Sequence, residues 1–96
     1  MMVVVSYDVS TVDVAGRRRL RQISKWCMNY GIRVQNSVFE CNVEPAQWLL
    51  LKAAIEAICD KQLDSLRYYY LGRDYQRRID HYGAKTAINV EEPLIL

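Results

Sequence analysis

The chain has 96 residues, of which 51% are hydrophobic and 25% are charged. This length and composition fit one folded domain and exclude an intrinsically disordered protein. Its three cysteines lack CxxC spacing and have no histidine near them, which disfavours a disulfide framework or a zinc site and favours a reducing cytoplasm. No apolar run is long enough to cross a membrane, and no secretion signal is recognisable at the N-terminus. The net charge of +2 is uneven, because residues 1–40 carry six basic and three acidic side chains whereas residues 41–96 carry seven and eight.

The first predicted element is a strand over residues 3–8, which reads Val-Val-Val-Ser-Tyr-Asp. Residues that are β-branched or aromatic favour an extended strand. Asp8 falls at the carboxyl end of this strand, where a side chain can leave the sheet. Its carboxylate is therefore the first candidate for chemistry.

A helix is predicted over residues 14–30, because apolar residues recur there at spacings of three and four. This apolar stripe consists of Leu20, Ile23, Cys27 and Tyr30. Thr11 or Asp13 can cap the start of the helix, and Gly31 follows its end as a C-terminal cap.

The same helix carries five basic residues with no acidic residue among them, namely Arg17, Arg18, Arg19, Arg21 and Lys25. Arg17, Arg21 and Lys25 stand four apart and form a column on another face of the helix. Such a run is commonly a solvated helix face. The lack of compensating acids favours a polyanion partner instead, because a column of like charge suits a phosphate backbone.

Residues 32–42 contain two short apolar clusters around Gln35, Asn36 and Ser37, which predicts two strands joined by a tight turn. Phe39, the only phenylalanine, is expected in the core, although an aromatic ring on a strand can also stack on a base.

A second helix is predicted over residues 45–59, where the core stripe consists of Trp48, Leu51, Ile55 and Ile58 and is broadened by Leu50 and Ala54. Residues 66–71 then read as a strand whose three consecutive tyrosines must face both sides of a sheet. His81, the only histidine, is expected to be ordinary surface. The apolar end of the segment 85–96 predicts an added edge strand on a neighbouring subunit or partner protein.

This order of elements predicts an α+β fold, a ferredoxin-like βαββαβ sandwich with two helices on one face of an antiparallel sheet. The predicted domain covers residues 1–84, and residues 85–96 are expected to be a C-terminal extension that adds an edge strand. The fold alone does not decide function. The loop after the first strand has no glycine before Gly16 and no arginine before Arg17, which disfavours an acylphosphatase. The aromatic positions also fit RNA-recognition modules poorly.

Several segments together resemble the CRISPR-associated protein two family, the smaller of the two core spacer-acquisition proteins. They are Tyr-Asp at the end of the first strand, Gly-Arg-Arg-Arg-Leu-Arg at the start of the first helix, Tyr-Gly at its end, Arg-Val-Gln-Asn-Ser-Val-Phe-Glu-Cys and Ser-Leu-Arg-Tyr-Tyr-Tyr-Leu-Gly. Their order and spacing extend the resemblance over nearly the whole chain.

The resemblance implies a metal-dependent endonuclease acting on RNA or DNA, built as a twofold homodimer in which the two Asp8 carboxylates share one Mg²⁺. Two carboxylates brought close repel, and a hard divalent cation with oxygen ligands neutralises them. By position, Asp8 is the catalytic residue and metal ligand, and Tyr7, Ser37 and Phe39 support it. The implied phosphate contacts are Arg17, Arg18, Arg19, Arg21 and Arg33, to which the helix column adds Lys25.

Two other functions remain open from the sequence. Within the resembled family the dimer bridges two copies of the CRISPR integrase partner and holds duplex DNA, so a structural scaffold without catalysis is one alternative. A ferredoxin-like regulatory module for a small metabolite is the other, and it predicts no salt-dependent affinity for nucleic acid.

Overall fold

A computed structural model of the chain describes residues 1–84. Its strands are β1 (Met2–Asp8), β2 (Ile32–Gln35), β3 (Val38–Asn42) and β4 (Ser65–Gly72), and its helices are α1 (Val14–Met28), α2 (Pro45–Ile58) and a short 3-10 helix (Tyr75–Arg78). The order β1, α1, β2, β3, α2, β4 confirms the predicted βαββαβ arrangement. The edge strand predicted within residues 85–96 lies outside the described residues.

The four strands form one antiparallel sheet in the order β2-β3-β1-β4, so β1 is a central strand with a neighbour on each side. Its alternate residues Val3, Val5 and Tyr7 are buried beneath the helices. The remaining residues of β1 point to the opposite surface of the sheet, which we call the open face. The open face carries Val4, Ser6 and Asp8 from β1 and Arg67 and Tyr69 from β4. These side chains are exposed or half-buried, so the two helices do not cover them.

Helix α1 begins after Asp13, whose carboxylate accepts a 2.8 Å hydrogen bond from the backbone N–H of Gly16. The helix ends at an ordinary C-cap on Asn29, so the prediction that Gly31 caps it was wrong. Gly31 has a different requirement, because a β-carbon there would lie 2.5 Å from the Sγ of Cys41 and 2.5 Å from the carbonyl oxygen of Glu40. A glycine at this position lets the end of α1 approach β3 closely.

Helix α2 begins with a capping box between Glu44 and Gln47 and buries the predicted residues Trp48 and Leu51 against the sheet. Leu50 was predicted to broaden this stripe, but its side chain is 63% exposed. Successive helical residues are rotated by about 100°, and the rotation from Leu51 carries Leu50 out of the core.

Strand β4 separates its tyrosines between the two faces of the sheet, as predicted. Tyr68 and Tyr70 face α2, where the ring of Trp48 packs edge-on against Tyr68 at 4.9 Å between centroids. The indole N–H of Trp48 also donates a 3.3 Å hydrogen bond to the hydroxyl of Tyr70. Tyr69 lies on the open face, which fixes the side of the sheet that each residue of β4 occupies.

Candidate metal and nucleic-acid site

Asp8 lies at the carboxyl end of β1, exposed on the open face and paired across the sheet with Ser65. Within residues 1–84, no hydrogen bond or ion pair engages its carboxylate. The inward neighbours of Asp8 are firmly buried, so the strand cannot rotate to hide it. The carboxylate is therefore available to a ligand or to a second molecule.

Tyr7 supports Asp8 from the other side of the sheet. Its side chain is 4% exposed, its hydroxyl lies 2.7 Å from the Oγ of Ser24 in α1, and its ring stacks on Phe39 at 6.2 Å. Burial raises the pKa of Tyr7, and the hydrogen bond with Ser24 opposes that rise. The backbone N–H of Tyr7 donates a 3.0 Å hydrogen bond to the carbonyl of Ser37. These contacts fix the strand end that presents Asp8.

A groove between α1 and the β2–β3 turn gathers three of the predicted phosphate contacts, and we call it the basic groove. Its cations are Arg21, Lys25 and Arg33, and its other lining residues are Leu20, Ser24, Met28, Asn36 and Ser37. The groove encloses about 420 Å³. Arg33 reaches it from β2, where its guanidinium lies 5.2 Å from the centre of the buried Phe39 ring. The pairing of three cations with hydroxyl and amide groups suits an anionic phosphate chain.

Arg17 and Arg18 are also exposed, at the opening turns of α1. The guanidinium of Arg17 donates a 3.3 Å hydrogen bond to the carbonyl of Thr11, which leaves most of its donors toward solvent. The structure thus places five of the six predicted phosphate contacts at exposed positions of α1 and β2.

Arg19 differs from these five cations. Its Nε lies 2.7 Å from the Oδ2 of Asp64, and the Asp64 side chain is fully buried while that of Arg19 is 16% exposed. The Asp64 carboxylate also accepts hydrogen bonds of 3.0 Å from the backbone N–H groups of Ser10 and Asp60. The hydrogen bond from Arg19 lowers the pKa of Asp64 below its ordinary value. Arg19 is thereby committed to Asp64, which links the loop after β1 to the connection before β4, so the phosphate contact of Arg19 stays a prediction that these contacts do not favour.

Two residues of this region were not singled out from the sequence. Asp64 sits in a polar connection, and no local pattern distinguishes it from the acids around it. Arg67 has a readable signal, because Leu66, Tyr68 and Tyr70 are the inward residues of β4 and the alternation puts Arg67 on the face of Asp8.

The described part of the chain offers few groups for thiol, histidine or cluster-bound metal chemistry. Burial raises the pKa of both Cys27 and Cys41 to about 12, so neither thiol is a nucleophile near neutral pH. His81 is exposed beside the carbonyl of Gly83. Residues 1–84 contain no group of three or more His, Cys, Asp or Glu side chains placed to hold a metal. No helix in residues 1–84 has the length and apolar character needed to cross a membrane.

The topology and these side chains define a small ferredoxin-like α+β protein with an acidic strand end and a basic helix surface. Residues 1–79 match the family described as CRISPR associated protein Cas2. The chain therefore belongs to the Cas2 family, which confirms the resemblance found in the sequence and argues against a metabolite-sensing module.

Individual relatives support this assignment over the full length. The chain is 62% identical to CRISPR-associated endoribonuclease Cas2 3 of Rhodospirillum rubrum, over 99% of this chain and 100% of the relative. It is 48% identical to the CRISPR-associated endonuclease Cas2 of Halalkalibacterium halodurans, over 99% of each chain. The crystal structure of Streptococcus pyogenes Cas2 at pH 6.5 superposes with a TM-score of 0.78 at 52% identity, over 86% of this chain and 100% of that one.

Proposed function

We propose that the protein is a Mg²⁺-dependent endonuclease that acts as a homodimer, with one Mg²⁺ shared between the Asp8 carboxylates of the two subunits. The observation that carries this proposal is the exposed, unpaired Asp8 carboxylate at the end of the central strand, on the open face. The names of its Cas2 relatives, which describe endoribonucleases and an endonuclease, give the reaction class.

The need for a second subunit follows from the ligand count. At the end of β1, one chain offers a single carboxylate with the hydroxyl groups of Ser6 and Ser65 close by on the same face. Mg²⁺ prefers oxygen ligands and keeps several waters, so this donor set fits it, and a second Asp8 would complete the charge balance. The open face is left uncovered by the helices, and a small domain gains stability when a second copy covers part of such a surface.

When bound, Mg²⁺ would supply charge neutralisation at the phosphodiester and help to activate water for hydrolysis. Asp8 would hold the ion at the end of β1. The exposed cations of α1 and the basic groove hold neighbouring phosphates, which orients the chain of the nucleic acid without reading its sequence. RNA and duplex DNA both present the required phosphates.

A structural role is the second candidate, in which the dimer bridges two copies of the CRISPR integrase partner during spacer acquisition and holds duplex DNA. The distribution of charge favours it, because five exposed cations belong to α1 and β2, away from the open face that carries Asp8. Either role places the protein in the cytoplasm, as its cysteine usage predicts.

Cleavage of labelled RNA and duplex DNA by the purified chain tests the proposal, with Mg²⁺ titrated and then removed by EDTA. We expect Asp8→Asn to abolish Mg²⁺-dependent cleavage while the dimer and its affinity for nucleic acid persist. Asp74→Asn is the matched control, because Asp74 is also exposed but lies in the turn after β4. Cleavage by Asp8→Asn at the wild-type rate would refute the catalytic proposal. An inert wild-type dimer that binds DNA and loses that binding in Arg17→Glu/Arg18→Glu would support the structural role.

A further inference from the structure

Four side chains form a polar patch at one end of the open face. The register pairs Asp8 with Ser65 and Ser6 with Arg67. The patch therefore has two residues on β1 and two on β4, and the residue between each pair faces the helices. Asp8 and Arg67 are diagonal neighbours in this arrangement. The Cα atoms of such neighbours are generally about 7–8 Å apart, so a long side chain can span the distance. The two serines are small and leave the space between the carboxylate and the guanidinium open.

Arg67 is the only cation at a strand position of the open face in the described residues, since the other strand arginine, Arg33, pairs with the buried Phe39 on the helix side. The Arg67 side chain is exposed, and its one hydrogen bond is a long 3.5 Å contact to the hydroxyl of Tyr69. It forms no ion pair within residues 1–84, in contrast to Arg19. Its donors are therefore available to a ligand bound beside Asp8.

We infer that Arg67 is a second catalytic residue, whose guanidinium binds the non-bridging oxygens of the phosphodiester held at Asp8. This inference rests on the proposed function. A phosphodiester and a carboxylate repel each other, and Arg67 offsets that repulsion from the same face of the sheet. The planar guanidinium donates two parallel hydrogen bonds to a phosphate, which fixes its orientation as well as its charge.

The role of Arg67 in hydrolysis is electrostatic. The oxygen of the attacking water bonds to phosphorus while the bond from phosphorus to the leaving oxygen breaks, and the proton released by the water ends on the leaving oxygen through solvent. Arg67 gains and loses no proton, because its guanidinium stays charged throughout. It stabilises the negative charge that increases on the phosphoryl oxygens in the transition state.

A purely structural role is the competing explanation, since charged residues on an edge strand such as β4 also prevent unwanted pairing with other chains. The two explanations differ in kinetics. A surface charge that only protects the edge leaves kcat unchanged, whereas a transition-state contact lowers kcat more than it raises KM.

The test compares Arg67→Ala, Arg67→Gln and Arg67→Lys with Arg73→Ala, which removes an exposed arginine just beyond the end of β4. Dimer mass and thermal unfolding identify the variants that retain the native assembly. If Arg67→Ala and Arg67→Gln lose it, the comparison uses Arg67→Lys. We expect Arg67→Ala to lower kcat by about 100-fold, the scale seen when one preorganised donor is lost. Arg67→Lys should recover part of the rate, because it keeps the charge but not the planar pair of donors.

A second measurement tests the phosphate contact of Arg67 without relying on cleavage. In the Asp8→Asn background, binding of a fluorescein-labelled duplex DNA is followed as salt increases, alone and with Arg67→Ala or Arg73→Ala added. Loss of one phosphate contact lowers the slope of log affinity against log salt by about one for each subunit that engages the duplex. A slope and a kcat that match those of Arg73→Ala would overturn the inference while the dependence on Asp8 stands. Cleavage that survives Asp8→Asn would instead refute the proposed function.

Discussion

Replacing Arg21, Lys25 and Arg33 by glutamine removes the three positive charges that line the basic groove. Each phosphate contact with duplex DNA contributes about 0.9 to the slope of log affinity against log salt. Three contacts therefore account for a slope of about 2.7 for each subunit engaged with the duplex. Over a rise in salt from about 50 to 200 mM, that slope corresponds to an affinity loss of about 40-fold, which the triple variant should no longer show.

Fluorescence anisotropy of a labelled duplex across this salt range measures the slope directly. The control is the triple variant Lys61→Gln/Arg73→Gln/Arg77→Gln, which removes the same net charge from exposed positions outside the groove. We expect the control to retain most of the slope, because long-range attraction between charges is screened within about 10 Å at moderate salt. An equal reduction in both triple variants would show that general charge, and not the groove, holds the DNA.

Two further predictions concern the stability of the fold. Leu51→Ala should lower the free energy of unfolding by about 2–5 kcal/mol, because Leu51 is fully buried, whereas Leu50→Ala should change it by no more than about 0.5 kcal/mol. Urea denaturation of both variants measures the difference, and similar losses would contradict the packing of α2. Asp64→Asn should destabilise the protein near neutral pH and remove a pH dependence. Because its hydrogen bond with Arg19 lowers the pKa of Asp64, the ionised carboxylate stabilises the fold above the ordinary pKa of 3.8, and this contribution is lost as the pH falls through the lower folded pKa. Unfolding measured from neutral to acidic pH should therefore show wild type and Asp64→Asn converging in acid, and a constant difference would contradict the assignment.

Periodicity in the sequence predicted most of the fold, because the strands and helices bury their apolar residues at regular intervals. The βαββαβ order, the turn before Val38 and the division of the tyrosines between the two faces all follow from these intervals. The exposure of Leu50 does not follow from these intervals. An apolar stripe shows that a helix has a buried face, but it does not define where the edges of that face lie. The close approach at Gly31 is also invisible locally, since it depends on contact with β3.

The residues of the candidate site were likewise predictable only in part. The exposed position of Asp8 was predictable because it ends a strongly β-forming segment, and its chemical role stays a prediction. Arg19 reads like the arginines beside it, and only a partner 45 residues away in the chain, Asp64, separates it from them. Such long-range pairs leave no local pattern in a single sequence. The position of Arg67 was available from the alternation of β4, once its inward residues were known.

The adjacency of Tyr7 and Asp8 has a consequence for how the molecule matures. Side chains alternate along a strand, so a shift of β1 by one residue against either neighbour would bury the acid and expose the ring. Pairing with both flanking strands and the hydrogen bond between Tyr7 and Ser24 therefore hold β1 in the register that exposes the carboxylate. A copy of the chain with β1 out of register would not present Asp8 on the open face.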